Sequence, residues 1–321
     1  MDKQGFTTYL EGKDFSTRTI ECYIKRVDFF FGKYKIQKED IKVTKPDILD
    51  FLEYLKNSRV QQSKSRTHYL VALNHYFNFL YEEGQIAQNP CWFLKLRGAK
   101  KKKLYNTYTP EELETLFDNY YQLFIRNFND SHYRSDHQRN KTALCRERNI
   151  VILSILINQG ITTGEIEKIE LDDIDLFKAK IKIRGGRKSK ERTLSLKATQ
   201  IGLIMNYLEK IRPQLSTLQT GNTNYLFFAL PSDSKCTKKQ SKEPLLSVFK
   251  QLAKQIQHID KKFLKFTQIR VSVITSWLKT QNLRKTQYMA GHSNISSTEY
   301  YLSNNLDDLT ENIHKLNPFN F

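Results

Sequence analysis

The chain has 321 residues, of which 39% are hydrophobic, and it carries a formal net charge of +18 at pH 7. This length allows two domains of ordinary size, and this hydrophobic content excludes a disordered chain. A charge of this size bears on partners rather than on fold. Nucleic acid is the leading partner, because binding to phosphates releases counterions. A protein that is basic without such a partner is the alternative.

Cysteine spacing and hydropathy exclude two further classes of protein. The four cysteines form no Cys-x-x-Cys or Cys/His ligand pattern, so we expect no metal site; they are Cys22, Cys91, Cys145 and Cys236. Sparse cysteines fit a reducing compartment. No segment approaches the roughly 18 apolar residues that span a bilayer. We therefore expect a cytoplasmic protein without a membrane partner.

Residues 1–96 are predicted to form one helical domain, with apolar residues at helical spacing throughout. Ser16 and Thr44 are at positions that favour helix N-caps. Most of the apolar stripe is expected to form core. Lys64 and Arg66 crowd the start of the fourth helix. A solvated charged face explains them, and phosphate contact at a helix N-terminus is a fair competitor.

Residues 97–108 are predicted to form a basic linker between two domains. The segment has a glycine, no apolar pattern and five cations within seven residues: Arg97, Lys100, Lys101, Lys102 and Lys103. A flexible tether with arbitrary charge is one reading. Beside a helical domain, a linker that crosses a DNA backbone is the favoured one.

Residues 109–321 are predicted to form a second domain, in which helices surround a small sheet. An apolar helix is expected over 146–159, after a polar loop over 127–141. Strands over 180–184 and 192–196 flank a Gly-Gly hairpin signal. The hairpin carries four cations that would suit a DNA groove: Arg184, Arg187, Lys188 and Lys190.

The stretch 289–301 holds the residues with the most specific spacing in the chain. His292 lies in a Gly-His-Ser turn, and Tyr301 follows it by nine positions on a predicted short helix. Arg270 lies upstream, near the start of an amphipathic helix. Tyrosine acts as a covalent nucleophile when cations and proton donors hold the reacting group. These residues in a basic chain predict attack on a phosphodiester. An ordinary pair of helical tyrosines is the alternative.

With these motifs in place, the sequence resembles the tyrosine recombinase (phage integrase) family over essentially the whole chain. The resemblance implies a mainly α fold with a small β-sheet: a helical, SAM-like core-binding domain followed by a mixed α/β catalytic domain. Residues 291–301 resemble the family's Gly-His-Ser box, which assigns the nucleophile to Tyr301 rather than Tyr300.

The other family motifs are present in altered form. Residues 161–166 resemble the first arginine box, but Thr162 stands where the family has its catalytic arginine. Residues 267–270 resemble the His-x-x-Arg box, but Thr267 stands at the histidine. In the lysine hairpin, Arg187 falls at the position of the lysine, with Lys188 beside it. The implied catalytic set is Tyr301, Arg270, His292, Lys188 and Arg187. Arg146, Arg148 and Arg184 are candidates to replace the missing cation.

The resemblance implies a site-specific recombinase or integrase of a mobile element or chromosome. It would cleave and rejoin double-stranded DNA through a 3′-phosphotyrosyl intermediate, without ATP, metal or other cofactor. A weakened or inactive DNA-binding accessory protein of the same fold is the alternative, and topoisomerase-like relaxation is a third hypothesis. The expected assembly is a homotetramer, a pair of dimers on DNA, with exchange of the C-terminal helix as one way to hold it. The expected location is the nucleoid.

Overall fold

The computed structural model describes residues 1–34, 42–96, 106–127, 135–186, 189–219, 223–230 and 245–302. The chain divides into two compact units, Met1–Lys102 and Lys103–Phe321. Most of the predicted linker lies outside the described residues, and so do its five cations. Its role as a DNA-crossing segment therefore stays a prediction.

The first unit is built from helices with a shared aromatic core. They are α1 (Lys3–Gly12), α2 (Thr17–Asp28, continued by a π-helical turn over Phe29–Lys33), α3 (Lys45–Asn57) and α4 (Ser63–Glu82). The Ser16 hydroxyl caps α2, and Thr44 forms a capping box with Asp47 at the start of α3, as the sequence predicts. Phe30 and Phe51 are fully buried and meet edge to face, with ring centroids 4.9 Å apart.

The second unit contains further helices and one small antiparallel sheet. The helices are α5 (Pro110–Tyr121), α6 (Asp136–Gln159), α7 (Thr163–Ile166), α8 (Ala198–Asn206), α9 (Arg212–Thr217), α10 (Leu246–Ile259), α11 (Phe266–Thr280), α12 (Leu283–Ala290) and α13 (Ser296–Leu302). The strands are β1 (Ile174–Asp175), β2 (Lys180–Ile183) and β3 (Arg192–Ser195), in the order β1-β2-β3.

The sheet confirms the strand predictions within a residue or two. Ile181 pairs with Leu194, and both side chains are buried while their neighbours along each strand are exposed. This alternation is the period-two pattern of a sheet with one covered face. The expected fold class, mainly α with a small sheet, is confirmed.

The start of α6 corrects one prediction. The sequence favours a loop over 127–141, but α6 begins at Asp136. The Ser135 hydroxyl accepts a hydrogen bond from the amide of Gln138 and so caps the helix. The first turns of α6 are largely exposed, so they need no apolar stripe, and a search for hydrophobic periodicity misses them.

Two helix ends bring the site residues together. Gly160 ends α6 and Gly291 ends α12, each in the left-handed conformation with φ of +56° and +72°. Helix α11 packs against α6, α12 and α13. The turn after α6, the face of α11, the turn after α12 and the start of α13 therefore meet at one place.

Candidate active site

Arg270 lies at the centre of the site, on the buried face of α11. Its Nη1 donates to the carbonyl of Gly160 and its Nη2 to the carbonyl of Ala290, both at 2.7 Å. Burial lowers the pKa of Arg270, and the charge of Glu165 opposes that shift. Tyr301 acts on the same guanidinium, in the direction that raises the pKa of Arg270. Arg270 therefore joins the ends of two helices and also reaches His292, whose Nε2 is 3.2 Å away.

His292 and Tyr301 lie against each other beside Arg270. Their rings stack with centroids 5.5 Å apart and planes inclined by 19°. The Nε2 atom of His292 is 3.2 Å from Nη2 of Arg270, and Nδ1 is 2.8 Å from the hydroxyl of Thr298. Tyr300 meets Tyr301 edge to face. The structure thus brings together three residues that the sequence singles out separately.

Two site residues, Glu165 and Arg192, were missed by sequence reasoning and form a buried ion pair. Nη1 of Arg192 is 2.7 Å from Oε1 of Glu165, and its Nε donates to the carbonyl of Met289. A Cβ on Gly291 would overlap this guanidinium, so only glycine fits there. Burial acts to raise the pKa of Glu165, but the hydrogen bond and charge of Arg192 outweigh it and lower the pKa below its ordinary value.

Thr162 lies at this ion pair rather than away from the site. Its hydroxyl donates to Oε2 of Glu165 at 2.9 Å, and its backbone amide donates to the same oxygen at 2.8 Å. Glu165 also lies 3.7 Å from Nη1 of Arg270. Thr162 therefore supplies a hydrogen bond at the place where the family has a positive charge. Thr267 is exposed in the first turn of α11, three residues before Arg270.

The three candidate replacement cations each contact other groups, and their role as a replacement stays a prediction. Arg148 is buried and donates to the carbonyl of Phe228 at 2.8 Å. Arg146 donates to the carbonyl of Phe124 and lies over its ring. Arg184 bridges two carboxylates: Glu170 at 2.7 Å and Asp173 at 2.8 Å. Each arginine satisfies acceptors next to its own element, which sequence spacing does not reveal.

The hairpin between β2 and β3 lies next to the turn that carries His292. Ser189 pairs with both Gly186 and His292, and the amide of Lys190 donates to the carbonyl of Gly291 at 2.9 Å. The side chain of Lys190 is exposed. Arg187 and Lys188, at the tip, lie outside the described residues, so their catalytic roles stay predictions. The residues on either side of them connect the hairpin to the active site.

The first unit presents the two cations predicted at the start of α4. Lys64 is exposed and Arg66 is half-buried, both near the first turn.

Among the described residues, no cluster of His, Cys, Asp or Glu side chains is arranged to hold a metal ion. In the same part of the chain, no helix has the length and apolarity needed to cross a bilayer.

Replacing His292 with Gln is expected to flatten the pH dependence of unfolding. Burial, then the charges of Arg270 and Arg192, lower the pKa of His292 from 6.5 to about 4. Between these values the unfolded chain binds a proton that the folded chain does not, so the free energy of unfolding falls as the pH falls from 6.5 to about 4. Urea titrations of both proteins across this range measure the slope. If the free energy of unfolding changed equally with pH in both proteins, the low pKa of His292 would be contradicted.

Comparison with known proteins identifies the family. The profile of the phage integrase family matches residues 127–307, more than half of the chain. The chain belongs to the phage integrase family. The profile of the phage integrase N-terminal SAM-like domain matches residues 3–85. The tyrosine recombinase XerD of Staphylococcus saprophyticus is 27% identical over 90% of this chain and 88% of its own. XerA of Pyrococcus furiosus is 27% identical over 97% and 92%.

Solved structures share the fold. The Tn1549 transposon integrase in complex with a circular intermediate DNA has a TM-score of 0.63 at 14% identity, over 98% of this chain and 99% of that one. The XerH site-specific recombinase bound to a palindromic difH substrate has a TM-score of 0.61 at 17% identity, over 88% and 75%. Together with the family match, these findings make the chain a tyrosine-type site-specific recombinase, which cleaves and rejoins DNA strands. Nothing in them favours the inactive alternative.

Proposed function

We propose that this recombinase cuts DNA by attack of Tyr301 Oη on the scissile phosphate, with Arg270 and His292 holding the reacting groups. The observation that carries the proposal is that His292 lies 3.2 Å from the guanidinium of Arg270 while its ring stacks on Tyr301. A phosphate placed there would meet a nucleophile and a fixed cation at once. Attack leaves a 3′-phosphotyrosyl link on one strand end and a 5′-hydroxyl on the other.

The chemistry assigns a task to each group. Negative charge grows on the non-bridging oxygens during attack, and the fixed charge of Arg270 stabilises it. The leaving 5′-oxygen needs a proton, which the hairpin supplies. Lys188 suits that task better than Arg187, because an ammonium can release a proton at accessible pH and a guanidinium cannot.

Rejoining reverses the first step on a new strand. The 5′-hydroxyl of a partner strand attacks the phosphotyrosyl link, Tyr301 leaves with its proton restored, and a phosphodiester is formed again. The energy of the broken phosphodiester bond is kept in the protein–DNA link, so the cycle consumes no ATP. Each step uses protein side chains and DNA.

The covalent intermediate gives the direct test. A nicked duplex carrying DNA that flanks the gene is incubated with the protein in EDTA without nucleotides, and products are separated in denaturing detergent. The proposal predicts a protein–DNA adduct under these conditions. An adduct that forms only with a divalent metal or ATP would contradict the mechanism, and so would no adduct on any DNA to which the protein binds specifically.

The proposed DNA contacts lie in both units of the chain. Lys64 and Arg66 are next to the N-terminus of α4, where backbone amides favour phosphates. Lys190 extends from the hairpin beside the active site. The linker cations Arg97 and Lys100–Lys103 would neutralise phosphates between the units. Arg184 is left out of this set, because two carboxylates already bind its guanidinium.

Paired variants separate the two kinds of hairpin cation. Lys190→Ala is expected to leave stability unchanged, to weaken binding to all DNA sequences in similar proportion, and to reduce the salt dependence of binding by about one phosphate contact. Arg184→Ala is expected to keep DNA affinity and to lower the free energy of unfolding, since the buried Asp173 loses a partner. Salt-series binding curves and urea titrations measure both. If Lys190→Ala lowered stability and Arg184→Ala weakened DNA binding, then Arg184 would be the DNA contact and Lys190 the structural residue.

We also propose that four copies act together on paired DNA sites at the nucleoid. Strand exchange requires two duplexes, and each duplex presents two strands to be cut. Helix α13 ends at the half-exposed Leu302, and the chain beyond it carries Leu309, Ile313 and Leu316 at helical spacing. This apolar stripe could dock on a neighbouring copy. Crosslinking on DNA should yield tetramers that a chain truncated after residue 302 does not form.

A further inference from the structure

His292 uses its two ring nitrogens in different ways. Nε2 is 3.2 Å from Nη2 of Arg270, and Nδ1 is 2.8 Å from the hydroxyl oxygen of Thr298. The backbone of His292 is held as well, because its amide donates to the carbonyl of Gln287 and its carbonyl accepts from the Gln287 side chain. The two nitrogen contacts and the stack on Tyr301 together define the orientation of the ring.

The partner at Nε2 decides where the imidazole proton lies. A guanidinium has only N–H donors, so the nitrogen facing Arg270 must offer a lone pair. A neutral ring then carries its proton on Nδ1, where only an oxygen acceptor can receive it. The hydroxyl of Thr298 is that acceptor, and the side chain is fully buried. The reverse tautomer would place an N–H against another N–H.

We propose that Thr298 is a positioning residue that holds His292 in the Nδ1-protonated tautomer, so that Nε2 faces the active site as a proton acceptor. The burial of Thr298 supports this, because a ring N–H that loses its partner in a dry environment is costly. The low pKa of His292 agrees with it, because a second proton at Nε2 would point at Arg270.

Helix α13 links this device to the nucleophile. Thr298 and Tyr301 are three residues apart, so they lie on one face of the helix and meet the same imidazole from two sides. The position of helix α13 therefore determines both where Tyr301 lies and which tautomer His292 adopts. Thr267, which stands at the position of the family's histidine, has no ring to accept a proton.

The acceptor form suits the first chemical step, which rests on the proposed function. As Tyr301 Oη bonds to phosphorus and the bond from phosphorus to the 5′-oxygen breaks, the phenolic proton needs an acceptor. Nε2 can take it once the Arg270 N–H that it accepts from has turned to the phosphate. A hairpin cation gives a proton to the departing oxygen. The scissile phosphate draws the charge of Arg270 toward itself, which relieves the conflict with a protonated Nε2.

The tautomer can be measured without DNA, so this arm is independent of the proposed function. Two-bond proton–nitrogen NMR spectra of the 15N-labelled full chain distinguish ring nitrogens that carry a proton from those with a lone pair. His292→Gln assigns the signal among the seven histidines. The proposal predicts a lone-pair signal for Nε2 near neutral pH. A lone-pair signal for Nδ1 would overturn it.

The kinetic arm compares two substitutions of Thr298. Thr298→Val keeps the shape and removes the acceptor, so we expect the signal to move away from the pure Nδ1-protonated form and adduct formation to slow by about tenfold at unchanged DNA affinity. Thr298→Ser restores the oxygen and should recover both. A Val variant with the wild-type tautomer and rate would overturn the proposal, and so would a Ser variant as slow as Val. If no protein forms an adduct, the proposed function fails while the NMR spectra still decide the tautomer.

Discussion

Tyr301→Phe is expected to abolish the covalent protein–DNA adduct, with a loss of at least about 10⁴-fold in the rate of strand cleavage. The substitution removes one oxygen atom, the only one that can bond to phosphorus in the proposed step. The ring remains, so its stack on His292 and the packing of α13 are kept. Specific DNA affinity should therefore be unchanged, as measured by gel retardation on the intact duplex.

Tyr300→Phe is the matched control for this experiment. The two tyrosines are adjacent on α13 and their rings meet at 89°. Tyr301 stacks on His292 at 5.5 Å between ring centroids. The control variant should form adduct at close to the wild-type rate. Loss of adduct in Tyr300→Phe with retention in Tyr301→Phe would move the nucleophile by one residue.

Thr162→Arg is expected to accelerate strand cleavage by about 100-fold, the effect typical of one oriented charge on a reacting centre. In the site as it stands, Arg192 and Arg270 face the single carboxylate of Glu165. That carboxylate offsets one of the two positive charges, and the Thr162 hydroxyl adds none. A guanidinium at position 162 would restore the second net charge beside the phosphate.

The gain in rate is accompanied by a cost in stability. Thr162 caps α7, with its hydroxyl accepting from the amide of Glu165. Loss of an N-cap costs about 1 kcal/mol, which a urea titration would show. Thr163→Arg is the control, because it adds the same charge one residue away. Equal acceleration by both variants would indicate general attraction of DNA, and no acceleration by Thr162→Arg would show that the site does not lack a cation there.

Local patterns in the sequence predicted most of the secondary structure and led to the proposed nucleophile. The β2–β3 hairpin follows from alternating residues around two glycines, and the helix that holds Arg270 follows from its apolar face. The spacing of nine residues drew attention to His292 and Tyr301, and their rings stack in the structure. These features depend on neighbours along the chain, which is why they could be predicted.

The parts that were missed depend on tertiary packing. Glu165 and Arg192 are 27 positions apart, and neither is unusual in its own segment; only the closure of β3 onto α7 makes them a buried pair. Two weak signals existed: Glu165 completes a Thr-x-x-Glu capping box, and Arg192 occupies an inward position of β3. The partners of Arg146, Arg148 and Arg184 were missed for the same reason, because they come from other segments of the chain.

The most direct test of the central claim is to identify the residue that carries DNA after cleavage. The adduct formed on a nicked substrate is digested with protease and nuclease, and the modified peptide is sequenced by mass spectrometry. We predict a nucleotide remnant linked through its 3′-phosphate to the phenolic oxygen of Tyr301. A remnant on Tyr300 or on any other side chain, or a linkage through a 5′-phosphate, would contradict this account.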